Sequence, residues 1–294
     1  MDQSDDKNNE LLNVEHVFAV KNPGLHRIIP GFIFSFLRRI IHEETLNKVF
    51  LNNRHKDGLG FVGGVLDDFK VKIEFFTTEN NILRPGTYED LAKLLTEEKK
   101  YILASNHPLG GLDGLALIRI AGKVRPDIVF PVNDLLLFIP TLRSIFIPIN
   151  KHGRNNENVG LIDETFASGK VVLFFPAGLV SRKQKGGVIE DLEWKKTFIT
   201  RAKKNQRDII PVYISGANSN FFYNFARWRK RFGIKVNLEM LFLPREMIRQ
   251  KHKTLRIVFG EPVTVETFDK TASDLQWAAR MKEKSYSLGK LLKG

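Results

Sequence analysis

The sequence of 294 residues contains no cysteine. Its absence excludes disulfide bonds and thiolate metal ligands, and it fits a protein that works in a reducing compartment. The sequence also lacks the Gly-x-Ser-x-Gly turn on which many hydrolases present a nucleophilic serine. The chain therefore offers neither a cysteine nucleophile nor a serine presented on that turn.

Long apolar runs are missing as well. A helix that spans a membrane needs about 20 apolar residues, and the first apolar run covers only residues 28–37. The apolar region at residues 128–149 is interrupted by three prolines and two charged residues, which argue against a spanning helix. No basic segment precedes an apolar run and a small-residue cleavage site, so we expect no secretory signal.

Acidic residues are outnumbered by basic ones. Lys and Arg total 46 and Asp and Glu 33, which gives a formal net charge of +13. Such a surplus attracts anionic partners: nucleic acid, an acidic carrier protein or an anionic membrane surface. Residues 221–232 mix aromatic and basic side chains, a pattern that suits either single-stranded nucleic acid or the headgroup layer of a membrane. Composition alone leaves these partners open.

Predicted strands and helices alternate from about residue 70 to the end of the chain. Sequence patterns predict strands at residues 69–76, 101–104, 128–132, 170–175, 208–215, 235–243 and 254–259. The alternation predicts an α/β fold, a single domain with a largely parallel central sheet flanked by helices. An amphipathic helical N-terminal segment, residues 1–66, is expected to precede the α/β domain at residues 67–294.

The N-terminal segment includes one amphipathic helix, predicted from Pro30 onward. Its apolar side consists of Ile29, Phe32, Ile33, Phe36, Leu37, Ile40 and Ile41, and its polar side of Ser35, Arg38, Arg39, His42 and Glu43. Two interpretations are open. The helix packs on the protein's own core, or its bulky apolar side chains and neighbouring arginines place it in a membrane interface.

The glycine spacing at residues 58–63 matches the dinucleotide fingerprint Gly-x-Gly-x-x-Gly. That fingerprint must follow a strand and open a helix. Here it follows a polar segment and leads towards a predicted strand, so we reject a nucleotide site.

The segment most indicative of chemistry is Asn106-His107, directly after the predicted strand at residues 101–104. A proline and two glycines tighten the turn, and Asp113 follows. Catalytic groups are commonly presented at strand ends in α/β sheets. A neutral imidazole accepts a proton from a hydroxyl near neutral pH, and a carboxylate on its other nitrogen fixes the tautomer. We therefore predict a general-base pair whose nucleophile is a hydroxyl of the substrate.

Two later stretches follow this pair in order, namely Phe175-Pro176-Ala177-Gly178-Leu179-Val180-Ser181-Arg182 and Ile210-Pro211-Val212-Tyr213. With the His107 turn they resemble the first, third and fourth motifs of the glycerolipid acyltransferases, the lysophosphatidic acid acyltransferase superfamily. The resemblance implies transfer of an acyl group from a thioester to the hydroxyl of a lyso-lipid. In that reaction His107 is the general base, Asp113 orients it, and backbone donors near Gly178 stabilise the oxyanion.

The sequence departs from the family pattern in the spacing of the His107–Asp113 pair and at two acceptor-binding positions. Five residues rather than four separate His107 from Asp113, Ala177 replaces the third-motif glutamate, and the second-motif arginine is absent. The Phe-Pro-Ala-Gly stretch at residues 175–178, followed by residues 216–223, resembles the bacterial, hemolysin-like branch that acylates lyso-ornithine and related N-acyl amino acid lipids. The candidate substrate contacts are Asn106, Lys151, Arg154, Pro176, Gly178, Ser181, Arg182 and Lys185. The cations after the third motif suit either a solvated loop or an anion site.

The implied reaction needs no resident cofactor, because the donor is an acyl thioester on acyl carrier protein or coenzyme A. No histidine pair has metal-ligand spacing, so no metal site is expected. Residues 135–139 either line an acyl-chain groove or pack in the core. We expect a cytoplasmic protein bound peripherally to the inner face of the cytoplasmic membrane, and no nucleic-acid partner.

Two alternatives remain. In the first alternative the acceptor is lysophosphatidic acid and the product phosphatidic acid, although Ala177 and the missing second-motif arginine count against it. In the second, the protein is a non-catalytic basic module that binds membranes or nucleic acid. The second alternative explains the charge but leaves the aligned motifs unexplained.

Overall fold

The structure is a computed structural model that describes residues 13–21, 23–132, 139–148, 156–234 and 237–293. Its α-helices are α1 (Val14–Lys21), α2 (Pro23–Ile28), α3 (Gly31–Ile41), α4 (Glu43–Asn52), α5 (Gly58–Asp68), α6 (Tyr88–Leu94), α7 (Gly111–Val124), α8 (Asn156–Ala167), α9 (Thr197–Asn205), α10 (Asn220–Arg231), α11 (Leu243–Ile248) and α12 (Asp274–Leu291). Its strands are β1 (Lys72–Glu79), β2 (Ile82–Pro85), β3 (Tyr101–Ser105), β4 (Ile128–Val132), β5 (Phe146–Pro148), β6 (Val171–Phe174), β7 (Arg182–Lys183), β8 (Ile189–Glu190), β9 (Asp208–Ile214) and β10 (Thr254–Phe259).

Eight of these strands form one sheet in the order β2-β1-β10-β9-β3-β6-β4-β5. Neighbouring strands are parallel except for β1 with β2 and β9 with β10, which are antiparallel. The two other strands, β7 and β8, pair as a separate antiparallel hairpin. The prediction of a largely parallel central sheet flanked by helices is therefore confirmed, and β3 lies in its interior between β9 and β6.

Successive residues of β3 face two hydrophobic cores on opposite sides of the sheet. Leu103 packs with side chains from α4, α5 and α7, whereas Ile102 and Ala104 pack with side chains from α8, α9 and α12. Because side chains alternate along a strand, burial on both sides requires a continuous apolar run. The run at residues 101–104 meets that requirement, so the strand that leads to His107 is fixed from both sides.

Helix α3 packs on the molecule with a face that only partly overlaps the predicted one. Phe34 and Ile41 are 2% exposed and turn inward, whereas Phe32 and Phe36 are 73% and 61% exposed. Part of the predicted apolar face therefore lies in solvent. Helices α4 and α5, by contrast, contribute to the same core as β3. The domain boundary at residue 66 stays a prediction.

The glycine spacing at residues 58–63 lies within α5, and the element before it is α4 rather than a strand. Helix α5 packs against α7. The strand that a dinucleotide fingerprint requires is therefore absent from this position, in agreement with the rejection of a nucleotide site.

The strand predicted at residues 235–243 is wrong. The chain there forms a 3-10 helix, Leu238–Phe242, that leads directly into α11. Glu239 is fully buried and pairs with the guanidinium groups of Arg182 and Arg229. The alternating apolar residues favour a strand locally, but a charged side chain is buried only where it is paired, and these two ion pairs form in the helical conformation.

Candidate active site

Asn106 joins the end of β3 to the end of β9. Its Nδ2 donates to the carbonyl oxygen of Ile214 at 2.9 Å, and its Oδ1 accepts the N–H of the same residue at 2.7 Å. The residue is 2% exposed, so water does not compete for either bond. The side chain thus continues the parallel pairing of the two strands and fixes the point at which His107 leaves the sheet. Its predicted contact with substrate stays a prediction.

Asp113 is held by the first turn of α7. Its Oδ2 accepts the backbone N–H groups of Leu109 at 2.8 Å and Gly110 at 3.2 Å, and its Oδ1 accepts that of Gly114 at 2.9 Å. Gly110 has a φ of 94°, which L side chains rarely adopt. This conformation turns the chain sharply before the helix and accommodates the five residues that separate His107 from Asp113.

The structure brings His107 and Asp113 together. Nδ1 of the imidazole lies 3.1 Å from Oδ2 of the carboxylate. The imidazole also stacks on the ring of Phe175, with ring centroids 4.2 Å apart. The His107 side chain is 16% exposed, whereas that of Asp113 is fully buried. A substrate can therefore reach the imidazole but not the carboxylate.

The pKa of His107 is raised above its usual value. Burial opposes protonation of the ring, but the charge of Asp113 and its hydrogen bond outweigh burial, and the charge of Asp191 adds to them. Because Asp113 accepts from Nδ1, we assign the proton of the neutral ring to that nitrogen. Nε2 then carries the lone pair, and no described residue bonds it. Nε2 is the atom that can accept a proton from a substrate hydroxyl.

The loop after β6 lies beside the histidine. The backbone N–H of Ser181 donates to the carbonyl oxygen of His107 at 2.7 Å. Pro176, before this contact, is buried, and its carbonyl oxygen accepts the N–H of Lys195 at 3.1 Å. The first and third motifs are therefore joined directly through backbone atoms, which the sequence order alone does not reveal.

Gly178 shapes the same loop through a left-handed conformation. Its φ is 67°, and its N–H donates to the carbonyl oxygen of Phe175 at 3.0 Å, which closes a tight turn. The amide of Gly178 is therefore used within the turn. The adjacent N–H groups of Ala177 and Leu179 bond no described residue, so they are available to an oxyanion.

Asp191, which no motif marks, bonds to both loops. Its Oδ1 accepts the backbone N–H of His107 at 3.2 Å and the hydroxyl of Ser181 at 2.6 Å, and its Oδ2 accepts Nε1–H of Trp194 at 2.9 Å. Burial raises the pKa of Asp191, while these hydrogen bonds oppose that rise. Asp191 lies 84 positions from His107 in the sequence. Contacts at such a separation have no local sequence signal.

The predicted anion-binding cations have different surroundings. Arg182 bonds Glu239 at 2.9 Å and the carbonyl oxygen of Val180 at 2.8 Å, and its side chain is 12% exposed. Lys185 is exposed in the turn between β7 and β8. Arg182 therefore supports the loop from within, and Lys185 is the more accessible cation. The substrate contacts assigned to Pro176, Gly178, Ser181, Arg182 and Lys185 stay predictions.

Some predicted features fall outside the described residues, namely Lys151, Arg154 and positions 135–138 of the candidate acyl groove. Within the described ranges, no group of three or more His, Asp or Glu side chains is placed to hold a metal ion. Among the described residues, no helix is both long enough and apolar enough to cross a membrane.

This chain is similar in sequence to known proteins over nearly its whole length. The model of the acyltransferase family matches residues 16–293. The chain belongs to the acyltransferase family. Two relatives of this acyltransferase are the lyso-glycine lipid O-acyltransferases of Phocaeicola vulgatus and Bacteroides thetaiotaomicron. Each is 39% identical to it, over alignments that cover 95% of this chain and 95% and 97% of theirs.

This acyltransferase has a weaker structural similarity to the 1-acyl-sn-glycerophosphate acyltransferase of Thermotoga maritima. The TM-score is 0.47 at 12% sequence identity, over 87% of this chain and 95% of that one. This value lies below the level at which a shared fold is inferred. Membership of the family rests on the sequence, and it confirms the resemblance to the glycerolipid acyltransferases noted from the motifs.

Proposed function

We propose that the protein transfers a fatty acyl group from a thioester to the hydroxyl of an N-acyl amino acid lyso-lipid, with glycine as the amino acid. The bonded His107–Asp113 pair supports the chemistry. The identity of 39% to two lyso-glycine lipid O-acyltransferases supports the acceptor. Ala177, in place of the family's glutamate, and the missing second-motif arginine further favour an acceptor other than a glycerophosphate.

His107 acts as general base through Nε2. It removes the proton of the acceptor hydroxyl as that oxygen attacks the carbonyl carbon of the thioester. The new C–O bond gives a tetrahedral oxyanion, whose collapse breaks the C–S bond. The imidazolium returns its proton to the leaving thiolate, so the products are an ester and a free thiol. Asp113 keeps the ring in the required tautomer and stabilises the imidazolium that forms.

The oxyanion is stabilised from the loop after β6. The N–H groups of Ala177 and Leu179 are among the backbone donors of this loop that bond no described residue. Lys195 supplies a positive charge nearby, since its Nζ lies 3.4 Å from the position that a Cβ on Gly178 would take. Donors and charges fixed before the reaction stabilise the transition state without reorganisation.

The acyl donor is a thioester of acyl carrier protein or coenzyme A. Both donors carry a pantetheine phosphate, and an acyl carrier protein adds an acidic surface. The net charge of +13 favours association with either of them. The exposed Lys185 is the cation of the third-motif loop best placed to meet the donor phosphate.

The enzyme works at a membrane surface, where its lipid substrates reside. Ile28, Phe32 and Phe36 are 77%, 73% and 61% exposed, and the neighbouring Arg27 and Arg39 are exposed as well. Apolar side chains of this kind insert at the boundary between headgroups and acyl chains, while arginines attract anionic lipids. We place the enzyme on the inner face of the cytoplasmic membrane, where acyl thioesters are available.

A competition between acceptors tests this function. The purified protein receives an acyl thioester with equal amounts of a hydroxyl-bearing N-acylglycine and lysophosphatidic acid, and products are identified by mass spectrometry. We expect the acylated glycine lipid, with one thiol released for each ester formed. Phosphatidic acid as the sole product would contradict the acceptor. No transfer, together with salt-sensitive binding to oligonucleotides, would favour the non-catalytic alternative.

A further inference from the structure

A shallow cleft of about 500 Å³ opens where the chain leaves β9. It is lined by residues 217–221, by Ile189 of the hairpin that follows the third motif, and by Arg245 and Arg249 at α11. None of these residues has a part in the chemistry described above. The cleft therefore offers a surface beside the active site whose use is unassigned.

Asn218 lines this cleft with an amide that lacks partners. The residue is 6% exposed, yet neither its Oδ1 nor its Nδ2 bonds any described residue. Its backbone is fixed, because its N–H donates to the hydroxyl of Tyr223 at 2.9 Å. Buried amide groups without partners are destabilising and rare. The arrangement is explained if a ligand supplies both an acceptor and a donor.

Two guanidinium groups border the same cleft. Arg245 lies over the ring of Phe221, 4.9 Å from its centroid, which holds the plane of the group. Arg249 is exposed, and neither arginine has an ion-pair partner among the described residues. No carboxylate is among the described residues that line the cleft, and Glu246, next to Arg245 in the sequence, accepts the N–H and the hydroxyl of Ser219, each at 2.7 Å. Two positive charges against one negative leave the cleft suited to an anion.

The cleft adjoins the turn that carries the catalytic pair. Ile214 at the end of β9 is bonded to Asn106, and Asn218 follows four residues later, at most about 14 Å along an extended chain. Leu109 of the catalytic turn packs against Gly216, where an added Cβ would lie 3.1 Å from its Cδ1. The segment that lines the cleft is therefore anchored to the catalytic turn by two contacts, one through Asn106 and one through Leu109.

We propose that this cleft binds the headgroup of the acceptor, and that Asn218 recognises both the amide and the carboxylate of an N-acyl amino acid. Nδ2 donates to a carboxylate oxygen, and Oδ1 accepts the amide N–H of the acceptor. Arg245 and Arg249 balance the carboxylate charge. The inference rests on the proposed function and names the part of the acceptor that this site selects.

The phosphate of an acyl donor fits the same cleft less well. It would accept from the two arginines and from Nδ2 of Asn218, but a fully ionised phosphate has no hydrogen to donate to Oδ1. An N-acylated amino acid presents a donor and an acceptor within one headgroup. Only the N-acylated amino acid therefore bonds both the unpaired Nδ2 and the unpaired Oδ1 of Asn218.

Two acceptors that differ in charge test the carboxylate contact. The full-length protein is assayed with a hydroxyl-bearing N-acylglycine and with the matching N-acylglycinamide, which keeps the amide and lacks the charge. We expect wild type to favour the acid by about tenfold or more in kcat/KM, mainly through KM. Arg245→Gln and Arg249→Gln should each reduce this preference, while Arg84→Gln, on the outermost strand β2, should leave it unchanged.

Asn218→Leu tests the amide contact with a side chain of similar size. We expect KM for both acceptors to rise about tenfold, KM for the donor to stay the same, and Tm to stay the same or rise, because two unpaired buried atoms are removed. A fall in Tm with unchanged acceptor KM would mean that Asn218 is purely structural. A change in donor KM would assign the cleft to the donor phosphate. Either result overturns the inference.

The two proposals fail in different ways. If wild type acylates N-acylglycine and N-acylglycinamide equally well, the carboxylate site is wrong and the acyltransfer reaction stands. If wild type acylates neither compound but acylates lysophosphatidic acid, the acceptor assigned under the proposed function is wrong, and the headgroup inference falls with it.

Discussion

At the residue scale, the proposed role of His107 as general base predicts how the reaction depends on pH. Only the neutral imidazole accepts a proton, so the rate should rise with pH through the His107 pKa, which lies above the ordinary 6.5. Asp113→Asn removes the charge that favours the imidazolium, so the acid limb of the profile of kcat/KM should move to lower pH. The maximum rate should fall roughly 100- to 10,000-fold, because the tautomer is no longer fixed.

The same ionisation affects stability with a defined sign. A histidine whose pKa is raised by folding contributes stability that is full below the unfolded pKa and is lost as pH rises through the folded pKa. Wild type should therefore lose this contribution to the free energy of unfolding above about pH 6.5, and Asp113→Asn should lose less.

For the pH dependence of the rate, an acid limb of kcat/KM that stays in place in Asp113→Asn would contradict the assignment of that limb to His107.

Gly110 is a second test at the residue scale. Its φ of 94° and the 3.1 Å distance from an added Cβ to the Leu243 side chain mean that Gly110→Ala should destabilise the protein by about 1–3 kcal/mol. Gly63→Ala is the matched control, since Gly63 lies within α5 with open space around it. Alanine there should stabilise by up to about 1 kcal/mol. Urea unfolding of both variants measures the difference, and equal midpoints would contradict it.

The sequence revealed some of these residues and concealed others. His107 and Asp113 could be predicted because a motif places them in one turn. Asp191 could not, since its bonds join segments distant in sequence, and Asn218 was noted only within residues 216–223, because burial of its amide is visible only in the structure. Periodicity identified α3 as amphipathic, but the rotation that buries Phe34 and exposes Phe32 depends on the elements against which the helix packs.

At the scale of elements, the active site depends on loops that are distant in sequence and held together by buried hydrogen bonds. Asp191→Ala should leave the N–H groups of His107 and Trp194 without an acceptor, and leave the Ser181 hydroxyl only its longer bond to the carbonyl oxygen of His107. We expect a loss of stability of about 3–5 kcal/mol. Asp67→Ala removes an exposed ion pair with Arg119 and should cost less than about 1 kcal/mol. Unfolding in urea compares the two variants, and similar losses would contradict the role of Asp191.

Elements with a strong local pattern were predicted better than elements defined by distant partners. The buried strand at residues 101–104 follows from local sequence, and the structure contains it. The segment at residues 238–242 was predicted wrongly because its shape depends on ion pairs between Glu239 and two arginines elsewhere in the chain. The antiparallel pairing of β9 with β10 likewise has no signature in either strand.

At the scale of the whole molecule, the exposed apolar side chains of α3 and the charge of +13 should act together at a membrane. Binding to vesicles with anionic lipids should weaken when Phe32 and Phe36 are both replaced by Ser, and it should weaken further as salt rises. Ile82→Ser, at a side chain 59% exposed on strand β2, is the control and should bind as wild type does. Equal sedimentation of all three proteins with vesicles would contradict the assigned surface.

The most direct test of the central claim is the rate of thiol release from an acyl thioester in the presence of a hydroxyl-bearing N-acylglycine. His107→Ala should lower this rate at least about 100-fold, because the general base is lost. The matched control is His55→Ala, at an exposed histidine away from the site, which should react as wild type does. If folded His107→Ala releases thiol as fast as wild type, the imidazole is not the base and the account of the reaction is wrong.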